Sequence, residues 1–214
     1  MIEGKYHQNI LDYWSPVFSS NEKDLGNIIS YNPIGFFSTT YSWETEFFEE
    51  ECLSRFLMME SDLDSPLEYE VEQEIRLREL ICGLIVTDQH SYNGKKNLRW
   101  DLLPCRISNG IMHSKISILC WSGLVRLIIG SANITEVGYC RNQEVFGVID
   151  YKAGYDHDPE IIRTVLEYSK SLVEKFGHKI VNERFIKLAS YIESMLNNWN
   201  NSVNRRKDAI RHLK

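Results

Sequence analysis

Three strand-like runs crowd the middle of the chain, and they limit the fold more than any other feature. Residues 100–107, 111–121 and 125–129 follow one another, with the turns Ser108-Asn109-Gly110 and Ser122-Gly123 between them. Aliphatic and aromatic runs bounded by short Gly, Asn and Ser turns read as strands joined by hairpins. Residues 35–41 and 81–87 give two earlier strands, and 144–151 a later one. Between them lie helical patterns. Residues 45–57 alternate Phe47, Phe48, Leu53 and Phe56 with acids, with Thr45 as the expected N-cap. Residues 60–70 are acidic and contain Pro66, which predicts a loop, and 71–80 predict a second helix. Residues 159–176 and 181–198 are long and amphipathic. Strands, helices, more strands and then helices predict an α/β fold, a mixed sheet with helices packed on both faces.

The flanks are less regular. Near the N-terminus, Ile10, Leu11, Tyr13, Trp14, Val17 and Phe18 form an apolar helical face, followed by a turn at Ser19-Ser20-Asn21. His90 opens a polar loop over 90–96. The tail from Val203 carries Arg205, Arg206, Lys207, Arg211 and Lys214 and reads as a solvated basic helix face.

Bulk properties remove several classes of function. The net charge of -6 argues against nucleic-acid binding by bulk charge, though not against a small basic cleft. The five cysteines (Cys52, Cys82, Cys105, Cys120, Cys140) are odd in number and contain no Cys-x-x-Cys pair. That predicts buried thiols in a reducing, cytoplasmic compartment rather than disulfides or a zinc site. No apolar run has the length of a membrane span, and the polar N-terminal residues do not fit a signal peptide.

The chemistry concentrates on residues 111–144. On a strand, alternate residues face the same way, so His113, Lys115 and Ser117 would share a face. A His and a Lys side by side on a buried strand are costly unless an anion compensates them. The next strand ends in Gly130-Ser131-Ala132-Asn133, and a hairpin returns that end beside His113 and Lys115. Gly130 lets backbone approach a ligand closely, while Ser131 and Asn133 add hydrogen-bonding groups. Glu144, at the start of the following strand, is placed to accept the proton on the far nitrogen of His113, leaving the other nitrogen free to attack.

His113-x-Lys115, then Gly130-Ser131-Ala132-Asn133, Gly138 and Asn142-x-Glu144 resemble the phospholipase D superfamily. The likeness is greatest to nuclease-like and tyrosyl-DNA phosphodiesterase-like members, because the family's usual Asp falls at Cys120 here. The resemblance implies a phospholipase D-like domain over 35–176. An N-terminal segment, 1–34, packs on it, and C-terminal helices with the basic tail occupy 177–214. It implies hydrolysis of nucleic-acid phosphodiesters through a covalent phosphohistidine, with no metal and no cofactor. His113 would be nucleophile or general acid, Lys115 and Asn133 would bind phosphate, Ser131 would assist and Glu144 would orient. The mechanism needs two copies of the motif. His212-Leu213-Lys214 is formally a second His-x-Lys, but no Gly-Ser-x-Asn follows it. The second half therefore comes from a homodimer partner or from a longer parent chain. A phospholipid hydrolase or transferase, and a non-catalytic phosphate-binding or dimerisation module, are the competing readings.

Other residues carry blander expectations. His7, His90, His157 and His178 lie in polar or helix-end contexts and read as solvated. Phe36, Tyr41 and Trp43 read as core, although residues 39–43 border the expected cleft. Cys120 and Cys140 read as buried thiols.

Overall fold

The computed structural model describes residues 9–16, 31–91, 100–154 and 158–211, with side chains as far as residue 199. Six strands form one mixed sheet: β1 (Pro33–Thr40), β2 (Cys82–Asp88), β3 (Asp101–Cys105), β4 (Ile116–Trp121), β5 (Leu124–Gly130) and β6 (Phe146–Tyr151). Their spatial order is β3-β2-β1-β4-β5-β6. The β1–β2 and β2–β3 pairs are parallel, and the β1–β4, β4–β5 and β5–β6 pairs are antiparallel. The expected α/β mixed sheet with helices on both faces is what forms.

Each face of the sheet has its own core, because successive strand residues point to opposite sides. Phe37, Leu84, Val86, Ile118, Cys120 and Leu127 meet helices α4 (Glu160–Phe176) and α5 (Lys179–Arg211) through Ile162, Val173, Phe185, Leu188 and Ile192. Phe36, Ile85, Leu119 and Trp121 meet the other helical layer through Phe48, Phe56, Leu57 and Leu77. That layer runs α1 (Thr45–Phe47), a wider π turn (Phe48–Leu53), α2 (Ser54–Leu57) and α3 (Pro66–Arg78). All seven residues of β2 are buried, as a central strand covered on both faces requires.

Several sequence expectations change. Ser108-Asn109-Gly110 does make a turn, but it joins no hairpin: β3 lies at the sheet edge on β2, and β2 and β1 separate it from β4. Turn residues specify a local reversal, not the strand that will be paired next. The second run enters the ladder only at Ile116. Glu44 rather than Thr45 precedes the first helix, and its carboxylate is drawn to the amide of Glu136 at 2.9 Å instead of capping. Pro66 opens α3 rather than a loop, because the missing N–H costs nothing in a first helical turn. The basic tail, as far as Arg211, continues α5 as one helix. Val17, Phe18, the 19–21 turn, most of the 90–96 loop, His7, His157 and the 212–214 triplet lie outside the described residues.

The segment before β1 is held by a buried charge. Ile10, Leu11 and Trp14 sit in a short helix, Ile10–Trp14, capped by Asn9. Arg126 on β5, 1% exposed, donates to the carbonyls of Tyr13 and Ser15 and makes a two-pronged pair with Asp150 of β6 at 2.6 and 2.7 Å. Removing one partner of such a pair is far more damaging than the pair's net worth, because the other is left uncompensated. Arg126→Met should therefore lower the unfolding free energy by about 3 kcal/mol, measured by urea titration.

Candidate functional site

Everything predicted for the site gathers at one end of the sheet. β4 runs against β1, so the end of β1 meets the start of β4 at Thr39↔Ile116. The end of β5 meets the start of β6 at Gly130↔Phe146. His113 and Lys115 precede β4, Ser131 and Asn133 follow β5, and Glu144 precedes β6. The site residues are thus on the loops at strand ends rather than on the strands themselves.

Residues 111–115 lie outside the ladder, and side chains hold them in place. The Met112 amide donates to the buried carboxylate of Asp88 at 2.8 Å. Ser114 Oγ lies 3.1 Å from Thr39 Oγ1 and 2.9 Å from the Tyr168 hydroxyl on α4. The Ile116 amide donates to Thr39 Oγ1, and the Lys115 carbonyl accepts from the Gly130 amide. His113 is exposed while Lys115 is buried, yet the two side chains meet. Lys115 turns back on His113. Its Nζ donates to the His113 carbonyl at 2.9 Å and lies 3.0 and 3.2 Å from ring Nδ1 and Nε2. An ammonium has only donors, so this contact needs an imidazole nitrogen with a free lone pair. Burial lowers the Lys115 pKa, and the Glu144 carboxylate opposes that shift.

Asn133 and Glu144 are each committed to a neighbour. Asn133 Oδ1 accepts from the Tyr41 amide at 3.1 Å, the Ser42 amide at 3.3 Å and Thr40 Oγ1 at 3.4 Å. Two backbone donors fix which end of the side-chain amide is oxygen. Ser131 Oγ donates to Glu144 Oε2 and accepts from the Val145 amide, while Asn142 Nδ2 donates to Glu144 Oε1 at 3.3 Å. Glu144 therefore faces Ser131 and Asn142, and does not make the expected hydrogen bond to His113. Gly138 is required by close approach: a Cβ there would lie 2.4 Å from the Asn133 carbonyl oxygen.

Sequence reasoning missed the residues that hold these groups. Thr39 and Thr40 are adjacent on β1 and point to opposite faces. Thr39 fixes the His-Lys segment, and Thr40 accepts from the Ile134 amide beside Asn133. Asp88 and Tyr168 fix the other side of residues 112–114. Their only signal was position at strand ends and on a helix, which marks no partner in advance. Phe36 and Trp43 are core, as expected, but Tyr41 is half-buried with its ring centroid 5.3 Å from that of His113. His90 and His178 are exposed. Cys120 is fully buried, and burial raises its thiol pKa strongly; Cys140, expected inside, is exposed on the turn Val137–Arg141. Two concavities of about 700 and 750 Å³ open on the α1–α3 side, the first lined largely by acids, and neither includes His113, Lys115 or Asn133. Among the described residues, no cluster of His, Cys, Asp and Glu is arranged to hold a metal, and no helix is long and apolar enough to cross a membrane.

No protein-family model matches the sequence, and no curated protein matches it. Solved structures are similar. NucT from Helicobacter pylori aligns at 16% identity and a TM-score of 0.44, over 67% of this chain and 80% of that one. Nuc from Salmonella typhimurium, described as a phospholipase D family member, aligns at 17% and 0.43, over 67% of this chain and 80% of that one. Yeast tyrosyl-DNA phosphodiesterase aligns at 15% and 0.46, over 73% of this chain but 34% of its own length, so the chain spans about a third of that enzyme. At these values the functional reading rests on this chain's own residues.

The clamp on the β1 turn can be checked without any activity. Asn133→Ala should raise amide hydrogen exchange at Tyr41 and Ser42 by at least about tenfold, since both lose their acceptor. Gly138→Ala should do the same by displacing Asn133, and should cost about 1–3 kcal/mol of stability in thermal unfolding.

Proposed function

We propose that the protein is a phospholipase D-like phosphodiesterase that hydrolyses nucleic-acid phosphodiesters, with each chain supplying half of the active site. One observation carries the reading: an exposed His113 ring lies within 3.2 Å of a buried lysine ammonium, beside an asparagine whose oxygen is already satisfied. Such a group is suited to a tetrahedral anion. Lys115 and the Asn133 Nδ2 hydrogens offset the charge on phosphate oxygens, and a ring nitrogen of His113 attacks phosphorus. The P–O bond to the leaving group breaks as the N–P bond forms. A second His113, from another copy across a two-fold axis, protonates the leaving oxygen and then activates the water that cleaves the phosphohistidine. Glu144 and Ser131 act on this site through Lys115: the carboxylate opposes the desolvation of the ammonium.

The rim of the site favours a covered arrangement. Ile129 at the end of β5 and Val145 beside Ser131 are 42% and 80% exposed. Apolar side chains next to an open half-site suit burial against a like surface. Four buried thiols suit a reducing compartment such as the cytoplasm. The choice of nucleic acid over lipid follows the resemblance at Gly130-Ser131-Ala132-Asn133-Ile134-Thr135 and the Cys120 substitution.

The direct test is hydrolysis of bis(p-nitrophenyl) phosphate and of single-stranded DNA in EDTA, with mass measured by light scattering. Activity should persist without metal, reside in a species of twice the 25.1 kDa chain mass, and fall on the order of 10³-fold or more in His113→Ala. Full activity in that variant would overturn the assignment, and a monomer inactive on every diester would leave a phosphate-binding module instead.

Lys115 gives a second check. Burial disfavours its charged form, so the wild type pays a folding penalty below its lowered pKa that is relieved as pH rises towards 10.5. Lys115→Met should abolish hydrolysis yet be as stable as the wild type, or more so, at pH 7. The wild type should regain ground on the variant as pH rises towards 10.5, followed by urea unfolding across that range.

A further inference from the structure

Helix α3 has apolar lines on two opposite sides, and the fold uses only one. Tyr69 and Leu77 are buried against the sheet layer, together with Leu80 just beyond the helix. Leu67, Val71 and Ile75 are spaced four residues apart, so they form one line along the helix. They are 74%, 51% and 54% exposed, and Leu63 extends the line at 51%. A helix that is apolar on both sides ordinarily has neighbours on both. Around this line the chain is strongly acidic: residues 60–79 contain Glu60, Asp62, Asp64, Glu68, Glu70, Glu72, Glu74 and Glu79 against Arg76 and Arg78. Both arginines are already paired, Arg76 with Glu72 and Arg78 with Glu74.

The complement of that surface is in the same sequence. Helix α5 packs on the core as far as Trp199 but continues to Arg211, twelve residues or about 18 Å further. A helical extension of that length is marginal without a surface to lie on. Residues 203–214 contain Arg205, Arg206, Lys207, Arg211 and Lys214 against one acid, Asp208, and place Val203, Ile210 and Leu213 at spacings of seven and three. That is a basic amphipathic pattern. It does not reach α3 of its own chain. The layer containing α3 covers one face of the sheet, α5 covers the other, and α5 is a single uninterrupted helix.

We infer that the exposed Leu67–Val71–Ile75 line of α3 is a docking surface for the basic C-terminal segment, residues 203–214, of a second copy of this chain. The apolar line of α3 matches the apolar residues of that segment, and the acids of 60–79 complement its bases. The contact is heterologous, one chain's tail on the other's α3, and is separate from the His113 face. It does not depend on the phosphodiesterase reading.

The test is a crosslink between differently marked copies. In a Cys140→Ser background, which removes the exposed thiol, full-length Val71→Cys protein is mixed with full-length Ile210→Cys protein and treated with a short bismaleimide. The expected result is a covalent species of twice the 25.1 kDa chain mass in the mixture. Its yield should be at least about tenfold above that of either variant alone, and should fall severalfold at 1 M salt, where screening shortens to about 3 Å. Placing Leu67→Lys and Ile75→Lys in the Val71→Cys chain should remove it, and circular dichroism verifies that this exposed-face variant is folded. No product in the mixture overturns the proposal. So does an equal product from Val71→Cys alone, which would mean α3 packs on α3. A chain carrying both cysteines that closes on itself independently of concentration would also overturn it, by placing the tail on its own α3.

Discussion

The C-terminal end of β1 is the point on which the site depends. Thr39 and Thr40 are consecutive, so a strand's alternation sends their hydroxyls to opposite faces. One hydroxyl takes the Ile116 amide and Ser114, the other the Ile134 amide. The His-Lys segment and the Asn segment come from different loops, about twenty residues apart, and nothing in either forces them together. Two buried side-chain acceptors, each satisfying backbone that would otherwise be orphaned, do so. An unsatisfied buried amide costs about 1–3 kcal/mol, so this pair of threonines settles the local geometry rather than merely tolerating it.

β1 can serve this way because of its place in the sheet. It is central, parallel to β2 on one side and antiparallel to β4 on the other. Its end therefore lies beside the C-terminal end of β2 and beside the start of β4. That brings the Asp88 carboxylate, from β2, within reach of Met112. Both cores press on β1, through Phe36 on one face and Phe37 on the other, and both are fully buried. The rigidity of a close-packed interior is thereby passed to a site otherwise built on loops.

Charge is arranged with the same economy. Lys115 is buried, its pKa lowered by that burial, and held by the His113 carbonyl and ring. Glu144 lends it electrostatic support while its oxygens are occupied by Ser131 and Asn142. Burial and the neighbouring carboxylate thus act on the ammonium in opposite directions. Far from the site, Arg126 is the opposite case: a buried cation with a full set of partners, which does structural work by tying residues 13–15 to β5.

The sequence by itself determined the alternation of strands and helices, the layered α/β class, and the short list His113, Lys115, Ser131, Asn133 and Glu144. All five arise from local signals: apolar period, turn residues, and chemistry at fixed spacing within 32 residues of chain. The same local signals misread the turn at 108–110, the start of α3 and the burial of Cys140, because each depends on what packs against it. Only the tertiary structure decided that β3 leaves β4 for the far edge, that Glu144 faces Ser131 rather than His113, and that Asn133 clamps the turn after β1. It also decided that Thr39, Thr40, Asp88 and Tyr168 hold the site. These are contacts between segments mostly 50 to 95 residues apart, as from Thr39 to Ser114 and Thr40 to Ile134. A one-dimensional pattern carries the propensity of each segment, but which segments become neighbours is a property of the whole sheet, set when both of its faces are buried at once.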